Sequence, residues 1–71
     1  MEYVIVEFDE TRDVYIDDQK NGKTNETLRV GAGTHTFSLS DPQDYSPPDI
    51  TEVIQGTSVL QPKTITFTRN S

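Results

Sequence analysis

The chain has 71 residues, no cysteine, and twelve acidic against six basic residues, which gives a net charge of −6. A chain this short forms one domain, residues 1–71, and has no disulfide or thiolate metal cluster to supplement its core. The acidic balance disfavours nucleic acid and anionic membranes as partners, because phosphate binding needs clustered lysine and arginine side chains.

Apolar residues recur with a period of two along most of the chain, which is the pattern of half-buried β-strands. In the first predicted strand, for example, Val4, Val6 and Phe8 share one face. In chain order, the predicted strands are YVIVEF (3–8), DVYID (13–17), TLRV (27–30), HTFSL (35–39), DITEVI (49–54) and KTITFT (63–68). No segment has the length and the apolar stripe that a helix requires.

Turn-forming residues separate these strands. Asn21–Gly22 is the commonest pair for a tight hairpin, because both residues accept a positive φ, and a turn is predicted there. Gly31 and Gly33 are predicted to supply a second reversal. The segment 41–49 holds three of the four prolines and is excluded from any central strand. Pro62 predicts an edge position or a bulge for the last strand.

Short strands separated by frequent turns predict an all-β fold. The specific prediction is a small antiparallel β-sandwich of about six strands, prealbumin- or immunoglobulin-like in layout. No apolar run approaches the roughly 20 residues of a membrane span, so no membrane insertion is expected. The first residues also lack the basic start of a signal peptide, so the chain as written is expected to be cytoplasmic.

The segment VYIDDQKNGKTNETLRVGAGTHTFSL, from Val14 to Leu39, resembles the PEGA domain family. The shared pattern is a strand ending in aspartate, a glycine hairpin, a threonine, a leucine strand, a glycine corner and a histidine strand. The positions that carry it are Val14, Tyr15, Ile16, Asp17, Gly22, Thr24, Leu28, Gly33, His35, Phe37 and Leu39. Tyr45 resembles the aromatic residue that follows the histidine strand, and the likeness extends to Phe67. The chain departs from the family in having VGAG at the name-giving tetrapeptide and TNET where a proline is usual.

The resemblance implies a small β-sandwich that serves as an accessory module of bacterial or archaeal proteins, often repeated or attached to the cell envelope. It implies no catalytic residue and no cofactor. If the chain is a domain excised from a longer protein, the cell envelope is its expected location.

His35 is the only histidine and the first residue to test for catalysis. Nucleophilic or metal catalysis would need it beside a serine, a carboxylate or other ligands. Its alternation with Phe37 and Leu39 instead predicts a strand-end residue that caps the core and bonds locally.

A group of acidic residues near the amino terminus raises the possibility of a Ca²⁺ site. Asp9, Glu10, Asp13, Asp17 and Asp18 are close in sequence, but their spacing does not match a calcium loop. They are therefore expected to form a solvated turn and strand end, with no metal bound. Asp17 is also expected to brace the following hairpin by bonding its backbone.

Two classes of function follow from these observations. The first is a non-enzymatic structural or protein-interaction module, whose sheet edges and acidic surface dock a partner protein or a second copy. The alternative is a carbohydrate- or cell-wall-binding module that uses an exposed Tyr15 together with Asp17. Tyr45 is expected to fold back onto the sandwich and pin its proline-rich loop, the alternative being recognition of residues 46–48 by a proline-binding partner.

Overall fold

In the computed structural model, which describes residues 1–70, the backbone forms nine β-strands and no helix. The strands are β1 Glu2–Glu7, β2 Asp13–Ile16, β3 Gln19–Lys23, β4 Thr27–Val30, β5 Gly33–Leu39, β6 Tyr45–Ser46, β7 Ile50–Ile54, β8 Lys63–Thr66 and β9 Thr68–Arg69. All six predicted strands are present. The additional ones are β3 and the two-residue strands β6 and β9.

The strands form two main sheets, in the orders β4-β1-β8 and β3-β2-β5-β7, together with a β6-β9 ribbon. The predicted all-β sandwich is confirmed, with one departure from purely antiparallel pairing. Strands β1 and β8 run parallel, with Val4 opposite Lys63. This direction follows from the path of residues 55–62, which pass the start of β1, where Thr57 bonds Glu2 and Tyr3. Strand β8 therefore starts at the end where β1 starts.

The core lies between the two main sheets and is built from the inward faces of the alternating strands. Its buried apolar side chains in the described part of the chain are Val4, Val6, Phe8, Val14, Ile16, Leu28, Val30, Phe37, Leu39, Tyr45, Ile54, Ile65 and Phe67. Burying each aliphatic or aromatic side chain contributes about 1.5–3 kcal/mol. The period-two pattern of the sequence thus identifies the core faces correctly.

The hairpin turn between β2 and β3 lies at Asp17–Asp18, so the prediction of a turn at Asn21–Gly22 is wrong. Ile16 pairs with Gln19, which leaves a two-residue loop. Asp17 and Asp18 have φ values of 54° and 67°, the positive values that a type I′ hairpin turn requires at both positions. Aspartate tolerates this region better than most residues with a Cβ atom.

Asn21 and Gly22 lie inside β3, where the register with β2 is irregular. Gly22 has a φ of 122°, and a Cβ atom built on it would lie 2.5 Å from Cδ2 of Leu28. Leu28 belongs to β4 and is buried. Glycine at position 22 therefore serves the irregular strand and the close approach of β3 to β4, in place of the predicted turn.

The glycine corner lies between β4 and β5, as its position in the sequence predicts. It is not a hairpin, because β4 and β5 belong to different sheets. Gly31 and Ala32 form the connection, and Gly33, with a φ of 127°, is the first residue of β5. Pro62 comes directly before β8, which is an edge strand as predicted.

Candidate functional site

His35 joins three segments at one end of the sandwich. Its Nδ1 lies 2.6 Å from Oδ2 of Asp17, in the β2–β3 turn, and its Nε2 lies 2.6 Å from the carbonyl oxygen of Gly31. The imidazole packs edge-on against Phe37 at 6.4 Å between ring centroids. His35 therefore bonds locally and covers the edge of the core, as the sequence predicts.

Both partners of the His35 ring are acceptors, which favours its protonated form. A carbonyl oxygen and an ionised carboxylate can only accept, so both hydrogen bonds form together when both ring nitrogens carry a proton, as in the imidazolium. The hydrogen bonds to Asp17 and then to Gly31 raise the pKa of His35 above its ordinary value of 6.5. An imidazolium that donates hydrogen bonds from both ring nitrogens cannot act as a general base, since it has no free lone pair.

Asp17 is fully engaged by β5. Its Oδ1 accepts a hydrogen bond from the backbone nitrogen of Thr36 at 3.0 Å, while Oδ2 accepts from His35. The Thr36 bond, followed by the His35 bond, lowers the pKa of Asp17. The sequence predicts that Asp17 braces the following hairpin. Its side chain instead ties its own turn to the neighbouring strand.

An ionic cluster, defined by Asp9, Glu10, Arg12, Asp44 and Arg69, occupies the opposite end of the sandwich. Arg69 donates to both carboxylate oxygens of Asp9, at 2.7 and 2.9 Å, and also to Asp44 and Glu10. The hydrogen bond from Arg69 is the main cause of the lowered pKa of Asp9. The cluster joins the segment after β1, the proline-rich loop and the last strand.

Arg12 is the most enclosed member of the ionic cluster, with a side chain only 9% exposed. It donates to both oxygens of Asp44 at 3.0 Å and to the carbonyl oxygen of Pro42 at 2.9 Å. The guanidinium carbons of Arg12 and Arg69 lie 5.3 and 5.1 Å from the centroid of the Phe8 ring. This distance allows cation–π attraction in addition to the ion pairs.

Asp13, another acid of the amino-terminal group, forms ion pairs as well. Asp13 pairs with Lys23 at 2.6 Å and with Lys20 at 3.6 Å, both on the adjacent strand β3. The hydrogen bond from Lys23 is the main cause of the lowered pKa of Asp13. Asp9, Glu10, Asp17 and Asp18 are exposed, as the sequence predicts, whereas Asp13 is half-buried.

Tyr45 pins the proline-rich loop, as the sequence predicts. Its ring is buried against Phe8 and Phe67, and its hydroxyl donates to the carbonyl oxygen of Leu39 at 2.7 Å. The same hydroxyl accepts from the backbone nitrogen of Leu39 at 3.3 Å. The loop is therefore held to the end of β5 by a buried side chain.

Tyr15 lies on the outer face of the second sheet, as predicted, and is half-buried. Its register partners are Lys20 on β3 and Ser38 on β5. Asp17, the second residue of the predicted carbohydrate surface, is committed to His35. The two residues therefore do not present a combined site, and Tyr15 is left with a lysine and a serine beside it.

Large apolar side chains are exposed at the end of β7 and in the loop that follows it. Val53 is 54% exposed, Val59 is 60% exposed and Leu60 is 92% exposed. Val59 and Leu60, named here the apolar tip, are the two central residues of a tight turn. The turn is closed by reciprocal backbone bonds of Ser58 and Gln61, at 3.1 and 3.2 Å. The alternating pattern of the sequence does not predict this feature, because residues 55–62 lie between two predicted strands.

Residues 1–70 show no detectable pocket and no grouping of histidine and acidic side chains that could hold a metal ion. The same residues include no helix with the length and apolarity needed to cross a membrane. No protein-family model matches the chain, and comparisons with curated proteins and with solved structures find no similar protein. The fold and the site geometry define a small all-β sandwich, and the resemblance to the PEGA domain stays a prediction.

Proposed function

We propose that this chain is a non-enzymatic protein-interaction module, and that its contact surface is the apolar stretch from Val53 to Leu60. The observation that carries the proposal is the exposure of three large aliphatic side chains within this stretch. Single exposed aliphatic residues are common on protein surfaces, whereas neighbouring ones mark contact sites more often. The stretch also lacks any charged residue, in a chain that is 25% charged.

The use of the chemically reactive side chains supports a role without catalysis. His35 donates from both ring nitrogens, and Arg12 is enclosed by carboxylate and carbonyl oxygens. Among residues 1–70, every buried side-chain nitrogen or oxygen has a hydrogen-bond partner. These groups hold the sandwich together, and a rigid sandwich is a suitable frame for a contact surface.

The sheet edges are less suited to binding than the sequence alone suggests. On β7, Glu52 alternates onto the core-facing side and pairs with Lys63 of β8 at 3.8 Å. At the opposite edge of the same sheet, β3 carries Lys20 and Lys23 and an irregular register. Inward charges, lysines and bulges are the devices that prevent an edge strand from pairing with another chain. The apolar stretch therefore remains the better candidate for contact.

The resemblance to the PEGA domain adds a context to this proposal, namely an accessory module of a bacterial or archaeal protein at the cell envelope. The residues that carry the resemblance have structural roles in this chain. Leu28, Phe37 and Leu39 lie in the core, Asp17 bonds His35, and the hydroxyl of Thr24 bonds the backbone of neighbouring residues. They support the fold, while the partner is decided by the surface.

The proposal is tested by capture on the immobilised chain from the source cells, followed by calorimetric titration with the purified captured protein. The variant Val53→Thr/Val59→Thr/Leu60→Ser is expected to lose binding and keep its melting temperature. A matched control, Thr64→Ser/Thr66→Ser on the first sheet, is expected to bind like the parent. The proposal is wrong if no captured protein binds the purified chain. It is also wrong if the parent chain turns over a substrate and the His35→Gln variant does not.

Carbohydrate binding is the second candidate, because the half-buried Tyr15 lies on the outer face of the interior strand β2, beside Lys20 and Ser38. Glycan and peptidoglycan retention by Tyr15→Ala is to be compared with that by Tyr3→Ala. Tyr3 is half-buried on the other sheet and serves as the matched control. A loss confined to Tyr15→Ala would favour this function, and equal retention by both variants would remove it.

A further inference from the structure

The apolar tip is an unusual turn. Gly, Pro, Asn, Asp and Ser dominate turns because each has a conformational or hydrogen-bonding reason to be there. Valine and leucine have neither the conformational preference nor the side-chain hydrogen bonds that favour turns, and both Val59 and Leu60 are exposed. Val59 and Leu60 therefore have little role in the fold, and their apolar character is left without an intramolecular explanation.

The tip is held in place by the rest of the domain. The carboxylate of Glu2 accepts from the backbone nitrogen and from the hydroxyl of Thr57, at 2.9 and 2.6 Å. The Thr57 hydroxyl in turn accepts from the backbone nitrogen of Tyr3 at 2.7 Å. In addition, the hydroxyl of Ser58 accepts from the backbone nitrogen of Gln61. Such a tip loses little conformational entropy when it binds, which increases affinity.

Resting on the proposed function, we infer that the apolar tip is the anchor of that interaction. Val59 and Leu60 enter an apolar pocket of a folded partner protein whose rim carries lysine or arginine side chains. The shape of the tip requires a concave site, because two adjacent side chains at a convex turn are covered only by a pocket. A few buried anchors of this kind carry most of the binding free energy in many interfaces.

The negative charge of this chain is the reason for expecting positive charge around the pocket of the partner. The whole domain carries a net charge of −6. The nearest charge in the hydrogen-bonded base of the tip is Glu2, whose bonds to Thr57 lower its pKa and keep it ionised. The tip itself is uncharged. A basic rim around an apolar pocket complements this arrangement and accelerates association.

A second copy and a lipid surface fit the tip less well. Two aliphatic side chains bury roughly 200 Å², against about 800 Å² per partner in a stable interface. Two convex tips packed together gain little more, and both copies carry the same negative charge. An anionic lipid surface repels this charge, and Lys63, the only lysine or arginine within five sequence positions of the tip, pairs with Glu52 at 3.8 Å.

Photo-crosslinking in the source cells separates these occupants. A diazirine analogue of leucine is placed at position 60 and, as controls, at position 15 on the outer face of the second sheet and at position 29 on β4. We expect one protein to crosslink at position 60 and not at the control positions 15 and 29. Crosslinking at position 60 to lipid, to a second copy of this chain or to nothing overturns the inference.

Crosslinking to a protein at position 15 or 29 alone overturns the inference and the proposed contact surface but leaves a protein-interaction role standing, whereas crosslinking to no protein at any position removes both proposals. The crosslinked protein is then purified and titrated. Leu60→Ser is expected to weaken binding by at least about 30-fold, and added salt is expected to slow association. Val59→Thr, which keeps the shape of valine, is expected to weaken it less, and Thr51→Ser is the matched control.

Leu60→Ser and Val59→Thr are expected to melt at the temperature of the parent chain, because both side chains are exposed. A binding loss that came with a lower melting temperature in both variants would assign the tip a packing role and overturn the inference. Binding of the purified partner that is unchanged in both variants would do the same.

Discussion

Replacing Gly22 by alanine tests the account of β3 in the most direct way. Gly22 has a φ of 122°, and its added Cβ would lie 2.5 Å from Cδ2 of buried Leu28. The backbone conformation costs a residue with a Cβ about 1–3 kcal/mol. Forcing an extra methyl group into packed surroundings costs about 1–3 kcal/mol more. Gly22→Ala is therefore expected to lower the free energy of unfolding by about 2–6 kcal/mol.

Two other glycines separate the two contributions. Gly33 has a φ of 127°, with no atom within 4 Å of an added Cβ, so Gly33→Ala should lose only about 1–3 kcal/mol. Gly31 has neither a positive φ nor a close neighbour. Gly31→Ala should leave stability unchanged or raise it by about 0.4–1 kcal/mol, because alanine has less freedom in the unfolded chain.

The measurement is urea unfolding followed by tyrosine fluorescence and circular dichroism, with parent and variants compared at one pH. For a domain of this size, 1 kcal/mol corresponds to about 4–8 °C in melting temperature, so the expected order is readily resolved. Equal stability of Gly22→Ala and Gly33→Ala would show that the side chain of Leu28 moves away from the added methyl group at no cost in stability. A stable Gly22→Ala variant would refute the described conformation of β3.

Three further predictions concern the bonds that hold the loops. Tyr45→Phe removes the hydroxyl that bonds both backbone groups of Leu39 and should cost about 1–3 kcal/mol in urea unfolding; an unchanged midpoint would mean that water replaces the hydroxyl. The pKa of His35 is raised in the fold, so its stabilising contribution is complete below the ordinary value of 6.5 and is lost as pH rises through the raised pKa. The melting temperature should therefore fall on the alkaline side, and His35→Gln should flatten that part of the profile; an NMR titration of His35 with a pKa at or below 6.5 would contradict this. The lowered pKa of Asp17 adds a separate loss as pH falls through it. Arg12→Lys keeps the charge but loses the planar donors to Asp44 and to two carbonyl groups, at a cost of about 1.5–3 kcal/mol; a variant as stable as the parent would show that the charge alone suffices.

Local rules predicted the strands because burial on one face of a strand imposes a period of two, and this period is visible within four or five residues. The same locality explains the error at Asn21–Gly22. The pair is the commonest hairpin signal, yet Asp17 and Asp18 take the turn. The bonds of Asp17 to His35 and Thr36 support that turn, and they come from a strand that no local pattern links to it.

The ionic cluster was beyond prediction for a related reason. Arg12 and Arg69 lie near opposite ends of the chain, and only the completed fold brings both beside Asp44. Asp9 and Glu10 are exposed, as the sequence predicts, but their partner Arg69 lies 60 and 59 residues away along the chain. Thr24 is singled out only by the resemblance, and no local pattern predicts that its buried hydroxyl accepts from the backbone nitrogen of Arg12. Long-range pairs of this kind can be identified only in the folded structure.

The two ends of the sandwich have different roles in this small chain. At one end, the ionic cluster fixes the proline-rich loop and the last strand, a role that disulfides have in many small secreted domains. At the other end, Glu2 and Thr57 fix a turn whose own tip contributes nothing to the core. A domain with a thin stability margin gains no folding free energy from an exposed Leu60, and it risks aggregation by exposing it. The proposed contact with a partner protein would give that leucine a role that the fold itself does not.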